Sequence, residues 1–373
     1  MPRIRELDVY EGMLPCGAHN AITDVAGAAV GHFTLIQDEG TWMGNGPFRT
    51  GVTLILPHTG NLYEEKAPAA VHTINGFGKV AGFEQVRELG NVETPIALTG
   101  TLNVPRVADA LITLAIENNP YVGLGFAETG RKGYASVNPI VGETSDSFLS
   151  DMQARPIGES EVRAALVDAS TGPVAEGVVG AGAGTSCYGW KGGIGTASRV
   201  LPTAQGGFTV GALVQSNFGR PEELTVAGVP IGHYLQPPNY RPLPEAGSIM
   251  IVLATDAPLD SRQLGRLCRR AAFGLARTGS TCHGGSGDFV IAFSTAYHIP
   301  DRPADLLVQR SVLYEQPIMS ALALAVIESV EEAIYNSLLM AHTVVGRDGN
   351  TRYGLPADEV VSLLRKYRRK VTA

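Results

Sequence analysis

Ala246-Gly247-Ser248-Ile249-Met250-Ile251-Val252-Leu253-Ala254-Thr255 joins a flexible small-residue pair to an unbroken apolar run. Prolines at 237, 238, 242 and 244 precede it, so an exposed loop is expected to deliver Ser248 to the first position of a buried strand. A hydroxyl there becomes a chain-end nucleophile if the Gly247–Ser248 bond is cut, with its own freed α-amine beside it as base. Without that cut, the stretch is an ordinary loop-to-strand junction. The choice between these readings rests on what the rest of the chain can bring to Ser248.

Working outward, Gly207–Gln215 reads as a strand that ends at Ser216-Asn217-Phe218-Gly219. The Asn217 amide at that end can donate to a developing oxyanion, or simply form a turn. Downstream, Leu264, Leu267, Cys268, Ala271, Ala272 and Leu275 fall on one helical stripe, with Arg266, Arg269 and Arg270 off it. A loop through Gly284-Gly285-Ser286-Gly287-Asp288 then opens into the apolar run Phe289–Ser294. Ser286 and Asp288 thus stand at a strand mouth, as Ser248 does, and the two sets meet if the strands are neighbours.

Other buried strands are expected at Gly51–Leu56, ended by Pro57, and at Ala97–Thr99. Helices are expected over Val107–Ile116, Ser160–Val167 and Ile318–Met340, with a shorter one opening at Leu355-Pro356-Ala357-Asp358. Val25–His32 resembles Val226–His233, which suggests two equivalent turns ending in exposed strands, with His32 and His233 structural. The glycine-dense region from Gly180 to Thr196 fits neither the Walker nor the Rossmann spacing, so its glycines are read as allowing close backbone approach.

At 373 residues, with 44% hydrophobic and 17% charged residues, the chain can bury a large core as one α/β unit or two domains. A net charge of −7 argues against a broad nucleic-acid surface, and no apolar run is long enough to suggest a membrane span. The N-terminus lacks a signal-peptide core, which points to the cytoplasm. The four cysteines, Cys16, Cys187, Cys268 and Cys282, are widely spread and read as reduced, mostly packed thiols. The scattered histidines give no zinc pattern, and no metal or other cofactor is expected.

Five short motifs occur in a recognisable order: Gly142-Glu143-Thr144-Ser145-Asp146, Gly189–Thr196, Gln215–Gly219, Ala246–Met250 and Gly285–Asp288. Together they resemble the self-processing L-aminopeptidase/D-Ala-esterase/amidase family, which includes the β-peptidyl aminopeptidases. The resemblance runs from about residue 5 to residue 345. It implies one catalytic domain, an αββα sandwich of the N-terminal-nucleophile-hydrolase-like type, also resembling the ornithine acetyltransferases. It further implies self-cleavage between Gly247 and Ser248 into chains 1–247 and 248–373, and assembly as oligomers, commonly tetramers of such heterodimers.

By the same resemblance, Ser248 is the nucleophile, Ser286 and Asp288 form a relay orienting it, and Asn217 donates to the oxyanion. Glu143 pairs with the free ammonium of a small peptide, amide or ester substrate. Some relatives carry Glu at the position of Asp288, and some carry Tyr at that of Ser145. The turn Asn75-Gly76-Phe77-Gly78 is a further candidate for the pocket wall. Two competing readings are an acyltransferase of the ornithine acetyltransferase type, disfavoured because those enzymes use Thr where this chain has Ser248, and an uncleaved, non-catalytic relative.

Overall fold

In the computed structural model of the protein, described residues are 1–38, 46–124, 136–238, 240, 247–303, 305, 310–316 and 318–371. The long strands in chain order are β1 (Ala29–Gln37), β2 (Phe48–Leu56), β3 (Glu65–Gly76), β4 (Ile96–Gly100), β5 (Ile140–Thr144), β6 (Ile194–Val200), β7 (Thr209–Asn217), β8 (Gly247–Thr255) and β9 (Ser286–Ser294). The helices are α1 (Phe83–Leu89), α2 (Val104–Asn118), α3 (Glu159–Asp168), α4 (Ser261–Arg277), α5 (Met319–Leu339) and α6 (Ala357–Val371).

The strands form two sheets. The smaller has the order β1-β2-β4-β5, and the larger runs β3-β9-β8-β7-β6, with Ile299–Pro300 and Asn91–Val92 pairing on β3. Strand alternation sorts the core into three apolar layers. Met250, Val252 and Ile291 face Ile55, Leu98 and Ile140 of the smaller sheet. Ile249, Ile251 and Val290 face the opposite way, against Leu264 and Leu267 of α4 and Val330 of α5. On the far side of the smaller sheet, Val52 and Leu54 pack with Leu111 of α2 and Val162 of α3. Two helix layers therefore enclose two stacked sheets, the expected αββα order.

Glycine sets the closeness of this packing on each sheet. A Cβ on Gly195 of β6 would lie 2.0 Å from the Ala333 carbonyl oxygen of α5, and one on Gly31 of β1 would lie 2.0 Å from that of Ala165 in α3. Neither clash can be relieved without moving a helix backbone.

The expected elements form, with informative differences. Helix α2 begins at Val104, before the expected Val107, because Pro105 occupies the first turn, where no N–H is needed. Ser286 and Asp288 lie inside β9 rather than ahead of it. Pro356 precedes the first residue of α6, Ala357. The Val25–His32 likeness does not carry over to its second copy: residues 29–37 form β1, whereas Ile231–His233 form a 3-10 helix after an isolated Val226–Val229 bridge. With φ 48° at Ala227 and 77° at Gly228, that turn folds back on itself and leads into no strand. His32 is structural: its Nδ1 is 2.9 Å from Thr53 Oγ1, and burial pushes its pKa down to about 4. His233 is exposed on the surface.

Most of the proline-rich approach to Gly247, including residues 241–246, lies outside the described residues. All four cysteines are free, with Cys187 and Cys268 buried.

Candidate active site

Strand β8 sits inside the larger sheet, antiparallel to β7 and parallel to β9. Its register sets Ser248 opposite Asn217 on β7 and beside Gly287 on β9. Cross-strand partners share a face, so Ser248 and Asn217 project together toward the smaller sheet. The Asn217 amide is oriented by its own bonding: Oδ1 accepts the Ser186 backbone N–H at 2.8 Å. That leaves the Nδ2 protons directed away from Ser186, where no partner holds them among the described residues. Ser248 is 6% exposed, and its Oγ donates to the Gly247 carbonyl oxygen, placing the hydroxyl against the Gly247–Ser248 peptide unit.

Ser286 and Asp288 are brought together, with Ser286 Oγ donating to Asp288 Oδ1 at 2.6 Å. Burial pushes the Asp288 pKa up, and the Ser286 hydrogen bond opposes that rise. The parallel register aligns Ser286 with Gly247 and Asp288 with Ile249, so alternation puts both side chains on the helix-facing side. Among the described residues, no hydrogen bond joins either of them to Ser248 Oγ. Instead, Ser286 stands beside Gly247, its Oγ 3.3 Å from where a Cβ on that glycine would lie. The expected relay pair is thus formed, but beside Gly247 and on the opposite face from the Ser248 side chain, a distinction that sequence spacing does not carry.

Glu143 comes from the smaller sheet, in β5. It is 3% exposed; Oε1 accepts the Lys79 N–H at 2.8 Å, and Oε2 accepts from the Thr101 hydroxyl. One cavity of about 320 Å3 is lined by Ser248, Asn217, Gly247 and Glu143 together. Ser145 also lines it, 3.0 Å from Ser147 through their hydroxyls. Of the 75–78 turn, Phe77 reaches the cavity. Asn75 does not; its Nδ2 clamps the 283–286 loop by donating to the carbonyls of His283 at 3.1 Å and Gly284 at 3.2 Å.

Sequence reasoning missed three contributors. Thr101 fixes the Glu143 carboxylate. Ser186 orients Asn217. Lys191 is wholly buried, with Nζ donating to the Gly182 and Gly192 carbonyls, and so ties the Ser186–Lys191 hairpin in place. Burial pushes the Lys191 pKa down to about 7. Lys191 lies in the glycine-dense stretch; a lone cation among apolar and glycine residues was the available signal.

An αββα sandwich with a serine opening a central strand of the larger sheet defines a hydrolase of the N-terminal-nucleophile fold class. The chain belongs to peptidase family S58, whose model matches residues 20–352, and it is an aminopeptidase. It is 40% identical to the beta-peptidyl aminopeptidase BapA of Sphingosinicella xenopeptidilytica, over 98% of this chain and 91% of that protein. Among solved structures, the PH0078 protein from Pyrococcus horikoshii OT3 is 44% identical with a TM-score of 0.90, covering 98% of this chain and 99% of the other. The L-aminopeptidase D-Ala-esterase/amidase of Ochrobactrum anthropi, a prototype serine aminopeptidase and a variant among Ntn hydrolase folds, is 35% identical with a TM-score of 0.88, covering 99% of each chain. Among the described residues, no helix is long and apolar enough to cross a membrane.

Proposed function

We propose that the chain cuts itself between Gly247 and Ser248 and then releases small N-terminal residues, including β-amino acyl groups, from peptides, amides or esters. The observation that carries this reading is the shared cavity, where a strand-end hydroxyl, an oriented amide donor and a buried carboxylate converge.

In self-cleavage, Ser248 Oγ attacks the Gly247 carbonyl carbon and the C–N bond breaks. The acyl group passes to Oγ as an ester, and the nitrogen leaves as the Ser248 α-amine. Water then hydrolyses the ester to a Gly247 carboxylate and restores the hydroxyl. The Oγ proton goes to the leaving nitrogen; once freed, the α-amine, with a pKa of roughly 7.7–8, is largely neutral near pH 8 and can accept the Oγ proton in each later turnover. Ser286, held by Asp288 and aligned with Gly247 beside the cleavage point, is the relay group of this reading.

In turnover, Oγ attacks the substrate carbonyl while Asn217 Nδ2 donates to the oxyanion. The amine passes its proton to the leaving nitrogen, and water completes the cycle. Glu143 pairs with the substrate ammonium; a desolvated cation needs such a partner, and the charge-assisted bond fixes the acyl carbon over Oγ.

Matched pairs of small amides, with the N-terminus free or acetylated, test this. Turnover confined to the free-amine member is expected. Equal turnover of the acetylated member would remove the role given to Glu143.

A further inference from the structure

Arg352 belongs to none of the catalytic groups above, yet it lines the same cavity. It ends the short Thr351–Arg352 strand, paired with Val344–Val345, and is 4% exposed. Its Nε donates to Ser186 Oγ at 2.9 Å, and its guanidinium carbon lies 3.6 Å from the Phe148 ring centroid. Among the described residues, no carboxylate pairs with it. The other cations of the cavity wall, Lys79 and Arg220, are exposed at the surface.

A buried guanidinium without a counter-ion is costly. Other buried arginines of the chain are treated differently: Arg199 is met by Glu328 at 2.8 Å and Glu332 at 2.6 Å, and Arg49 pairs with Asp38. At Arg352, burial instead lowers the pKa to about 10. The Nε proton is committed to Ser186, while the two terminal nitrogens keep donors in the planar fork that matches a carboxylate. Ser186 is also the residue whose backbone N–H holds Asn217 Oδ1. The guanidinium thus stands one residue beyond the oxyanion donor.

We propose that Arg352 receives a carboxylate on the leaving half of the substrate, which makes short peptides with a free C-terminus, dipeptides above all, the favoured class. The inference rests on the aminopeptidase reading. With the ammonium on Glu143 and the carbonyl oxygen on Asn217, a dipeptide's carboxylate is the remaining charge to be matched. Its desolvation is offset by a bidentate pair with Arg352.

The test compares alanyl-alanine with alanyl-alanine amide, using wild type, Arg352→Gln and Arg352→Lys. Intact mass first establishes that each variant has processed itself and hence folded; Arg352→Lys serves if the glutamine variant has not. In wild type, kcat/KM for the dipeptide is expected to exceed that for the amide at least ~10-fold, a typical scale for a charge-assisted hydrogen bond. Arg352→Gln is expected to bring the ratio toward one, with the loss carried by KM, and Arg352→Lys to keep part of it. The same ratio in wild type and Arg352→Gln would overturn the proposal and show that Arg352 acts only through Ser186 and Asn217. A loss confined to aspartyl-alanine amide would also overturn it, by placing the carboxylate on the acyl half. Wild-type turnover of the free-amine amide reports separately on the aminopeptidase reading, so the two can fail independently.

Discussion

The two sheets meet at the cavity and contribute differently to it. In the proposed mechanism the larger supplies the reacting hydroxyl and the oxyanion donor from neighbouring interior strands, where Ser248 and Asn217 are fixed opposite each other by the β7–β8 ladder. The smaller supplies Glu143 near the end of an edge strand, steadied by Thr101 and the Lys79 amide. Groups that do chemistry are held by continuous backbone pairing, with tolerances of a fraction of an ångström. The group proposed to recognise the amine is held by two hydrogen bonds from outside its own strand. Damage to the larger sheet should therefore abolish chemistry, and damage at Glu143 should mainly weaken substrate capture.

The most severe test of that division is Ser248→Ala. It is expected to leave one uncut chain and to lower turnover by roughly 10⁵-fold or more, as seen when a serine nucleophile is removed. Intact mass and initial rates read both effects. Asn217→Ala is expected to cost ~10²–10³-fold in kcat, about 3–4 kcal/mol of barrier, with slowed self-cleavage, because one donor serves both oxyanions. Self-cleavage at the wild-type rate would break that shared role.

Glu143→Gln should sharpen the contrast from the other side. A lost charge-assisted bond of about 2 kcal/mol predicts a roughly 30-fold fall in kcat/KM for free-amine substrates while self-cleavage proceeds. Equal damage to self-cleavage would place Glu143 with the chemistry.

The smallest expected effect concerns stability. Asp146, three residues past Glu143, is buried, and burial pushes its pKa up to about 6. Its native pKa exceeds the unfolded one, so its contribution is full below about pH 4 and is lost as the pH rises through about 6. Asp146→Asn should remove that slope, shifting the pH dependence of Tm by about a few degrees between pH 4 and pH 7. An unchanged Tm profile would contradict the burial account.

Much of this division was legible in the sequence. The one-sided stripe of α4 and the apolar runs of β8 and β9 marked a strand, a helix and a strand in succession; that Ser248 comes near Ser286 depended on the two strands being neighbours, which the parallel β8–β9 pairing supplies. Their opposite faces were not legible, because a one-residue change of register exchanges the faces of a strand. Glu143 and Asn217 were named from the family motifs, since a carboxylate or an amide in a turn is common. Thr101, Ser186 and Arg352 carried no local signal. Each acts through contacts made far along the chain, and Arg352 meets Ser186 across 166 positions. The likeness between Val25–His32 and Val226–His233 misled because backbone pairing, absent at the second copy, decides whether such a segment extends.

The central claim is that Ser248 becomes a chain end. Intact mass and N-terminal sequencing of the purified, active protein test it most directly. The account predicts two fragments, residues 1–247 and 248–373, the smaller beginning Ser-Ile-Met. A single uncut chain that turns over substrate would contradict it.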